Sequence, residues 1–259
     1  MKRGIEKHVT RCADRLVNFI IGGTQKGGTS ALHAYLTEHP EICMAGKKEV
    51  HFFDNETVFR NGPLDYTEYH PAFAPKEQHK LVGEATPIYM YWYDAPRRIW
   101  EYNPNMKIIL ILRNPIDRAY SHWNMERSRN TEHLPFWDAI QKEQERCRAA
   151  LPYQHRIYSY IDRGFYLEQL RRLWMYFSKK NILILKNEYL RSQPHEVLKD
   201  VSDFLGIHHV EGLRSKDVHS RAYPSQMSPI EREYLKFIFE HEIRGIERAL
   251  GWDCSNWLS

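Results

Sequence analysis

Leu16-Val17-Asn18-Phe19-Ile20-Ile21-Gly22-Gly23-Thr24-Gln25-Lys26-Gly27-Gly28-Thr29-Ser30 joins an apolar run to a glycine-rich segment that carries a lysine and hydroxyls. The apolar run from Leu16 to Ile21 reads as a short buried strand, and Gly22-Gly23 ends it. Beyond Ser30, the residues Ala31, Leu32, Tyr35 and Leu36 recur at helical spacing until His39-Pro40 breaks the pattern. The unit is strand, glycine-rich turn, helix. Such a turn folds tightly around an oxyanion, and the helix that follows points free N–H groups and its positive end at the ligand. Lys26 adds a mobile charge, and Thr29 and Ser30 add hydroxyl donors.

A second unit of the same kind starts at Lys107-Ile108-Ile109-Leu110-Ile111-Leu112-Arg113, turns at Asn114-Pro115 and continues as a helix through Asp117, Arg118, Tyr120 and Trp123. Between the two lie Glu49-Val50-His51-Phe52-Phe53-Asp54 and Gly83-Glu84-Ala85-Thr86-Pro87. Farther on, Leu167, Leu170, Trp174 and Phe177 form an apolar stripe leading into a strand over Asn181–Leu185. Val197, Leu198, Val201, Phe204 and Leu205 make another helix, with Gly206 placed to end it. A last helix is expected from Ser228 as N-cap, with Pro229 and Glu231 following, to Leu250 and Gly251. Strands separated by helices imply a parallel sheet covered on both faces.

Composition sets limits. A chain of 259 residues suits one α/β domain, here expected over residues 1–259. The net charge of +4 is too small and too dispersed to argue for nucleic acid, though it suits an anionic ligand. Cys12, Cys43, Cys147 and Cys254 lie far apart with no metal-binding spacing, so reduced thiols and a cytoplasmic location are expected. No apolar run reaches the length of a membrane span, and the basic N-terminal stretch lacks the apolar core of a secretory signal.

The ordinary nucleotide-triphosphate loop places lysine directly before the hydroxyl residue. Here Lys26 precedes Gly27-Gly28-Thr29-Ser30, so that pattern fails and ATP-dependent phosphoryl transfer is the weaker enzyme reading. Gln25-Lys26-Gly27-Gly28-Thr29-Ser30-Ala31-Leu32 instead resembles the 5′-phosphosulfate loop of sulfotransferases that use PAPS (3′-phosphoadenosine 5′-phosphosulfate), above all the heparan-sulfate type. Ile111-Leu112-Arg113-Asn114-Pro115 with Arg118-Ala119-Tyr120-Ser121-His122 resembles the same family's 3′-phosphate site. The likeness continues through Lys48–Phe53, Gly83–Pro87 and Gly164-Phe165-Tyr166 in the family's order.

The resemblance implies a three-layer α/β fold of the P-loop-NTPase-like sulfotransferase type, with a central parallel sheet flanked by helices. It implies PAPS as co-substrate, 3′,5′-diphosphoadenosine as product, no metal, and an acceptor bearing a hydroxyl or amine, carbohydrate favoured. A natural-product alcohol, free or carrier-bound, stays open as acceptor, as does a non-catalytic nucleotide- or glycan-binding module. The donor would be held by Gln25, Lys26, Gly27, Gly28, Thr29 and Ser30 at one end and by Arg113 and Ser121 at the other. Taken alone, Arg113 would read as a surface ion pair with Asp117.

Lys26 is the expected cation at the bridging oxygen, where charge develops. Glu49 matches the family's catalytic glutamate and is the expected base, which partial burial beside Phe52 and Phe53 would help by raising its pKa. His51 is the rival base or an orienting partner. Glu84 is open between positioning Lys26, contacting the acceptor and a structural role. In place of the family's Lys-Gly-Arg-x-x-Pro loop the chain has His219-Ser220-Arg221-Ala222-Tyr223-Pro224, which makes Ser220, Arg221 and Tyr223 donor contacts by the same resemblance. Tyr66, Tyr69, Tyr89, Tyr91, Trp92 and Tyr93 suit either an acceptor cleft or the core. Glu143, Glu145, Arg146 and Arg148 read as a solvated helix face.

Overall fold

The computed structural model describes residues 16–60, 65–210 and 225–259. Along the chain run β1 (Phe19–Gly23), α1 (Thr29–Thr37), β2 (Ile42–Met44), α2 (Glu56–Arg60), β3 (Leu81–Ala85), α3 (Ala95–Tyr102), β4 (Lys107–Leu112), α4 (Pro115–Ser128), α5 (Phe136–Gln141) and α6 (Glu143–Ala149). They are followed by α7 (Tyr166–Tyr176), β5 (Ile182–Lys186), α8 (Asn187–Ser192), α9 (Pro194–Leu205) and α10 (Pro229–Leu250). The strands form one sheet in the order β2-β3-β1-β4-β5, and each neighbouring pair is parallel.

The three layers follow from alternation along the central strands. Ile20, Ile108, Leu110 and Leu112 point into a core shared with Ile116, Leu170, Phe239 and Ile243, on the side of α4, α7 and α10. Phe19, Ile21, Ile109 and Ile111 point the other way, into a core with Leu32, Leu36, Val197 and Val201 from α1 and α9. β1 is buried along its whole length and β4 from Ile108 onward, which is why both read as continuous apolar runs rather than alternating ones.

Several boundaries fall where the residue chemistry puts them. Asn114 caps α4 by accepting from the Ile116 amide, and Pro115 opens the helix. Ser228 and Glu231 form a reciprocal capping box at α10. Gly206 and Gly251 end α9 and α10 in the left-handed region, at φ 77° and 67°. Two segments differ from expectation. The first strand occupies Phe19–Gly23 rather than beginning at Leu16, because it is Phe19–Ile21 and Gly23 that pair with β4. The short β2 has only three residues, too few to show a period.

The chain leaves β1 toward β2 and β3 on one side, then returns to β4 and β5 on the other. The carboxyl ends of β1 and β4 therefore flank the point where strand order reverses. In open α/β sheets that crevice is where ligands bind.

Candidate active site

Residues 24–28 leave β1 and cross over the end of β4. The Thr24 amide donates to the Ile111 carbonyl at 3.1 Å, and the Gly27 amide to the Thr24 carbonyl at 2.9 Å. This turn accepts no side chain at Gly27, where a Cβ would stand 2.2 Å from the Ile111 carbonyl oxygen. Gly28 has φ 107°, a conformation that favours glycine. It precedes α1, whose N-terminus has no side-chain cap and no acidic residue in its first turn, leaving the positive end directed at the loop. Asn187, buried at the start of α8, donates from Nδ2 to the Gly27 carbonyl at 2.7 Å and braces the loop from behind.

The second expected anion site lies beside the first. Arg113 follows β4 directly, and its Nη1 donates to the Lys26 carbonyl at 3.3 Å. Its own carbonyl accepts from the Tyr166 hydroxyl at 2.8 Å, which fixes the backbone there. Asp117 pairs instead with Arg232, at 2.8 Å, so the plain ion-pair reading of Arg113 is not what forms. Ser121 sits on α4 and is buried. The structure thus gathers Gln25, Lys26, Gly27, Gly28, Thr29, Ser30 and Arg113 at one end of the sheet, with Ser121 on the helix that Arg113 introduces. Ser220, Arg221 and Tyr223, with His219, lie outside the described residues.

Glu49 and His51 come from the loop after β2, tied to the same end of the sheet by the Glu49 amide, which donates to the Ala85 carbonyl at 3.0 Å. Both adopt the left-handed region, at φ 63° and 57°, and Lys26 does so at φ 68°. Backbone strain of this kind persists only where surrounding contacts enforce it, and it concentrates at functional sites. The segment that follows His51 is held from below. The Tyr89 hydroxyl accepts from the Phe52 amide at 3.0 Å and the Phe53 amide at 3.3 Å, and donates to buried Glu84. Glu84 also accepts from the Tyr69 hydroxyl and from Thr86 Oγ1, each at 2.6 Å. The Glu84 carboxylate thus ties Tyr69, Thr86 and Tyr89 together beneath this loop. Desolvation pushes its pKa up to about 7.

The titration of Glu49 differs from expectation. Its carboxylate lies 3.5 Å from His51 Nε2 and accepts from Lys48 Nζ at 2.7 Å. The His51 contact first, then the Lys48 charge and hydrogen bond, outweigh burial and hold the pKa at about 2. His51 moves the opposite way, to about 9, because Nδ1 faces Asp54 at 3.0 Å and Nε2 faces Glu49. Burial pushes Asp54 up, but His51 and Arg156 outweigh it, so the net shift is down. Near neutral pH the loop carries an ionised carboxylate against an imidazolium.

Other sequence expectations change. Tyr69, Tyr89, Tyr91 and Trp92 are buried in the core, and only Tyr93 among the cluster is strongly exposed, so most of these rings support the site rather than line an open cleft. Glu143 is no part of a solvated face. It is buried and accepts from the Ile161 and Asp162 amides at 2.7–2.9 Å, with desolvation raising its pKa to about 8. Sequence reasoning assigned no role to Asp54, Arg156, Arg163 or Asn187. The signals were thin: Asp54 closes the Glu49–Phe53 segment and Arg163 precedes Gly164-Phe165-Tyr166, but neither spacing announces a partner.

Fold and site together place a glycine-rich loop and an uncapped helix N-terminus at the switch point of a parallel α/β sheet. The chain belongs to the sulfotransferase-domain family, which residues 17–234 match. It is 32% identical over 196 residues to heparan sulfate glucosamine 3-O-sulfotransferase 6 of Homo sapiens, covering 76% of this chain and 54% of that protein. It is 26% identical over 271 residues to the membrane-associated sulfotransferase kil1 of Dictyostelium discoideum, covering 76% of this chain and 57% of that one. The chain thus spans about half the length of these relatives. A sulfotransferase structure from Alicyclobacillus acidocaldarius superposes with a TM-score of 0.80 at 28% identity, covering 95% of this chain and all of the other.

The cytoplasmic expectation does not stand, since a relative of this similarity is membrane-associated. Scattered cysteines carry no compartment signal once that is known. Cys43, Cys147 and Cys254 are unpaired, and among the described residues no helix is long and apolar enough to cross a membrane. Among the same residues no three His, Cys, Asp or Glu side chains converge as a metal cluster would require.

Proposed function

We propose that the chain transfers the sulfuryl group of PAPS to a hydroxyl or amine of a carbohydrate acceptor, releasing 3′,5′-diphosphoadenosine. The observation that carries the reading is the contact of Arg113 Nη1 with the Lys26 carbonyl, which sets an arginine fork beside the glycine-rich loop. A donor with phosphosulfate at one end and a 3′-phosphate at the other suits two adjoining anion sites, and arginine binds phosphate in bidentate fashion. The acceptor in the human relative's name, heparan sulfate glucosamine, supports a carbohydrate.

When bound, the donor supplies an electrophilic sulfur and a phosphate leaving group. The residues of this chain would then divide the work. The loop amides and the α1 N-terminus hold the 5′-phosphosulfate, and Arg113 with Ser121 holds the 3′-phosphate. Lys26 meets the negative charge that grows on the bridging oxygen as its bond to sulfur breaks. Glu49 receives the proton of the acceptor as the new bond to sulfur forms. Its low pKa makes it a weak base in the resting site. It becomes useful when the acceptor displaces Lys48 from its oxygen and water is excluded. His51, held by Asp54, keeps the carboxylate aimed.

The test is a transfer assay with sulfur-labelled PAPS against heparan-type oligosaccharides, simple sugars and aliphatic alcohols. Label moving to a saccharide, with matching release of 3′,5′-diphosphoadenosine, is the expected result. Label moving only to the alcohols would overturn the carbohydrate acceptor, and intact PAPS throughout would overturn the reading altogether.

A further inference from the structure

Two arginines on one segment hold the two reactant loops. Arg163 is almost fully buried and donates three hydrogen bonds: Nε to Ser159 Oγ at 2.8 Å, Nη2 to the Arg156 carbonyl at 2.7 Å, and Nη1 to Gln25 Oε1 at 2.7 Å. Its guanidinium lies over the Tyr91 ring, 4.6 Å from the centroid. All three acceptors are neutral, so the buried charge is solvated by dipoles rather than neutralised by a carboxylate. Gln25 is in the donor loop, directly before Lys26. Seven residues earlier, Arg156 donates to both the carboxylate and the carbonyl of Asp54, and it stacks on Trp92 at 4.3 Å. Asp54 holds His51, which faces Glu49.

The segment between them is itself fixed. Ser159 Oγ donates to the His155 carbonyl at 2.7 Å, the Ile161 and Asp162 amides donate to Glu143, and the Asp162 carboxylate accepts from the Tyr91 hydroxyl at 2.6 Å. A guanidinium that makes three directional bonds from a rigid backbone transmits position with little slack.

We propose that residues 155–163 form a positioning strap between the two halves of the site, with Arg163 registering the donor loop through Gln25 and Arg156 registering the Glu49–His51 loop through Asp54. The inference rests on the sulfuryl-transfer reading. In-line transfer needs donor sulfur and acceptor oxygen held at near-contact distance, and a misplacement of about 1 Å can cost about 10²-fold in rate. The donor loop and the base loop stem from different strands, β1 and β2, and the strap gives them a common reference. Arg156 and Arg163 are positioning residues, since neither needs to touch a reactant.

The experiment is a kinetic cycle on Arg156→Gln, Arg163→Met and the double variant, with 3′,5′-diphosphoadenosine melting shifts run in parallel. Each single variant is expected to lower kcat by about 10²-fold while KM for PAPS and the melting shift stay near wild type. Arg163→Lys should recover part of the loss. Because both arginines act through one register, the double variant should be little slower than the worse single one. If Arg163→Met does not fold, Gln25→Leu severs the same contact and should show the same kcat loss. Losses that multiply, or that fall wholly in KM for the donor, would overturn the strap. A wild-type chain that transfers no sulfuryl group would overturn function and strap together, whereas an active wild type with multiplying losses overturns the strap alone.

Discussion

His51 Nε2 stands 3.5 Å from the Glu49 carboxylate, and the other ring nitrogen of His51 lies 3.0 Å from Asp54. With Glu49 held near 2 and His51 near 9, the two remain oppositely charged across the neutral range. Glu49 is therefore ready to accept a proton at any pH above its depressed value, while His51 stays a cation until the pH passes about 9.

The sign of the pH profile separates the two bases. If Glu49 accepts the proton and His51 aims it as a cation, kcat/KM holds a plateau through neutral pH and falls as the pH rises through about 9. If neutral His51 were the base, activity would instead climb toward that pH. Asp54→Asn removes the largest cause of the raised His51 value and should move the basic limb down by about one unit or more. An unmoved limb would detach it from His51.

Lys26→Ala is expected to lower kcat by about 10²–10³-fold, the usual cost of losing one charge-stabilising donor. Its melting temperature should barely change. The positive φ of 68° strains alanine as much as lysine, so the backbone cost is the same in both proteins. Unchanged turnover in an assay limited by the chemical step would remove Lys26 from the leaving-group role.

Much of the fold was legible because the central strands are short apolar runs closed by glycine or by Asn-Pro, and because Ser228, Gly206 and Gly251 mark helix ends in their own chemistry. The glycine-rich turn was legible for the same local reason: glycine, lysine and hydroxyls sit close together in sequence. The supporting contacts were not. Gln25 and Arg163 are 138 residues apart, and Gly27 and Asn187 are 160 apart. Nothing in the local pattern of arginine or asparagine announces a partner at that distance. Glu143 misled because its spacing with Glu145 and Arg146 is that of a solvated face, and only the packing of Ile161 and Asp162 against it shows otherwise. The left-handed conformations of Lys26 and Glu49 were likewise hidden, since neither residue type favours that region.

Gly27→Ala tests the loop's close approach. A Cβ 2.2 Å from the Ile111 carbonyl oxygen, and 2.9 Å from the Thr24 carbonyl oxygen, has nowhere to go without moving backbone. We expect a loss of about 1–3 kcal/mol in stability, by analogy with overpacked cores, and loss of the response to 3′,5′-diphosphoadenosine. Native-like melting with full nucleotide response would contradict the tight turn.

Glu143→Gln tests the buried carboxyl. Its folded pKa of about 8 lies above the ordinary 4.5, so folding favours the protonated form. That contribution is complete below the ordinary value and is lost as the pH rises toward 8. Glutamine mimics the protonated acid without titrating, so the melting temperature of the variant should gain on wild type between pH 5 and pH 9. Parallel curves would mean that Glu143 is ionised in the folded protein throughout.

If two adjoining anion sites hold a 3′-phosphorylated nucleotide, melting shifts with 3′,5′-diphosphoadenosine, 5′-AMP and Mg²⁺–ATP will differ. At about a hundred times its dissociation constant a ligand stabilises the fold by roughly 2.7 kcal/mol. A shift of that order is expected for 3′,5′-diphosphoadenosine, a much smaller one for 5′-AMP, and loss of the difference in Arg113→Ala. Equal shifts for all three nucleotides, or a response to Mg²⁺–ATP alone, would contradict the two adjoining sites.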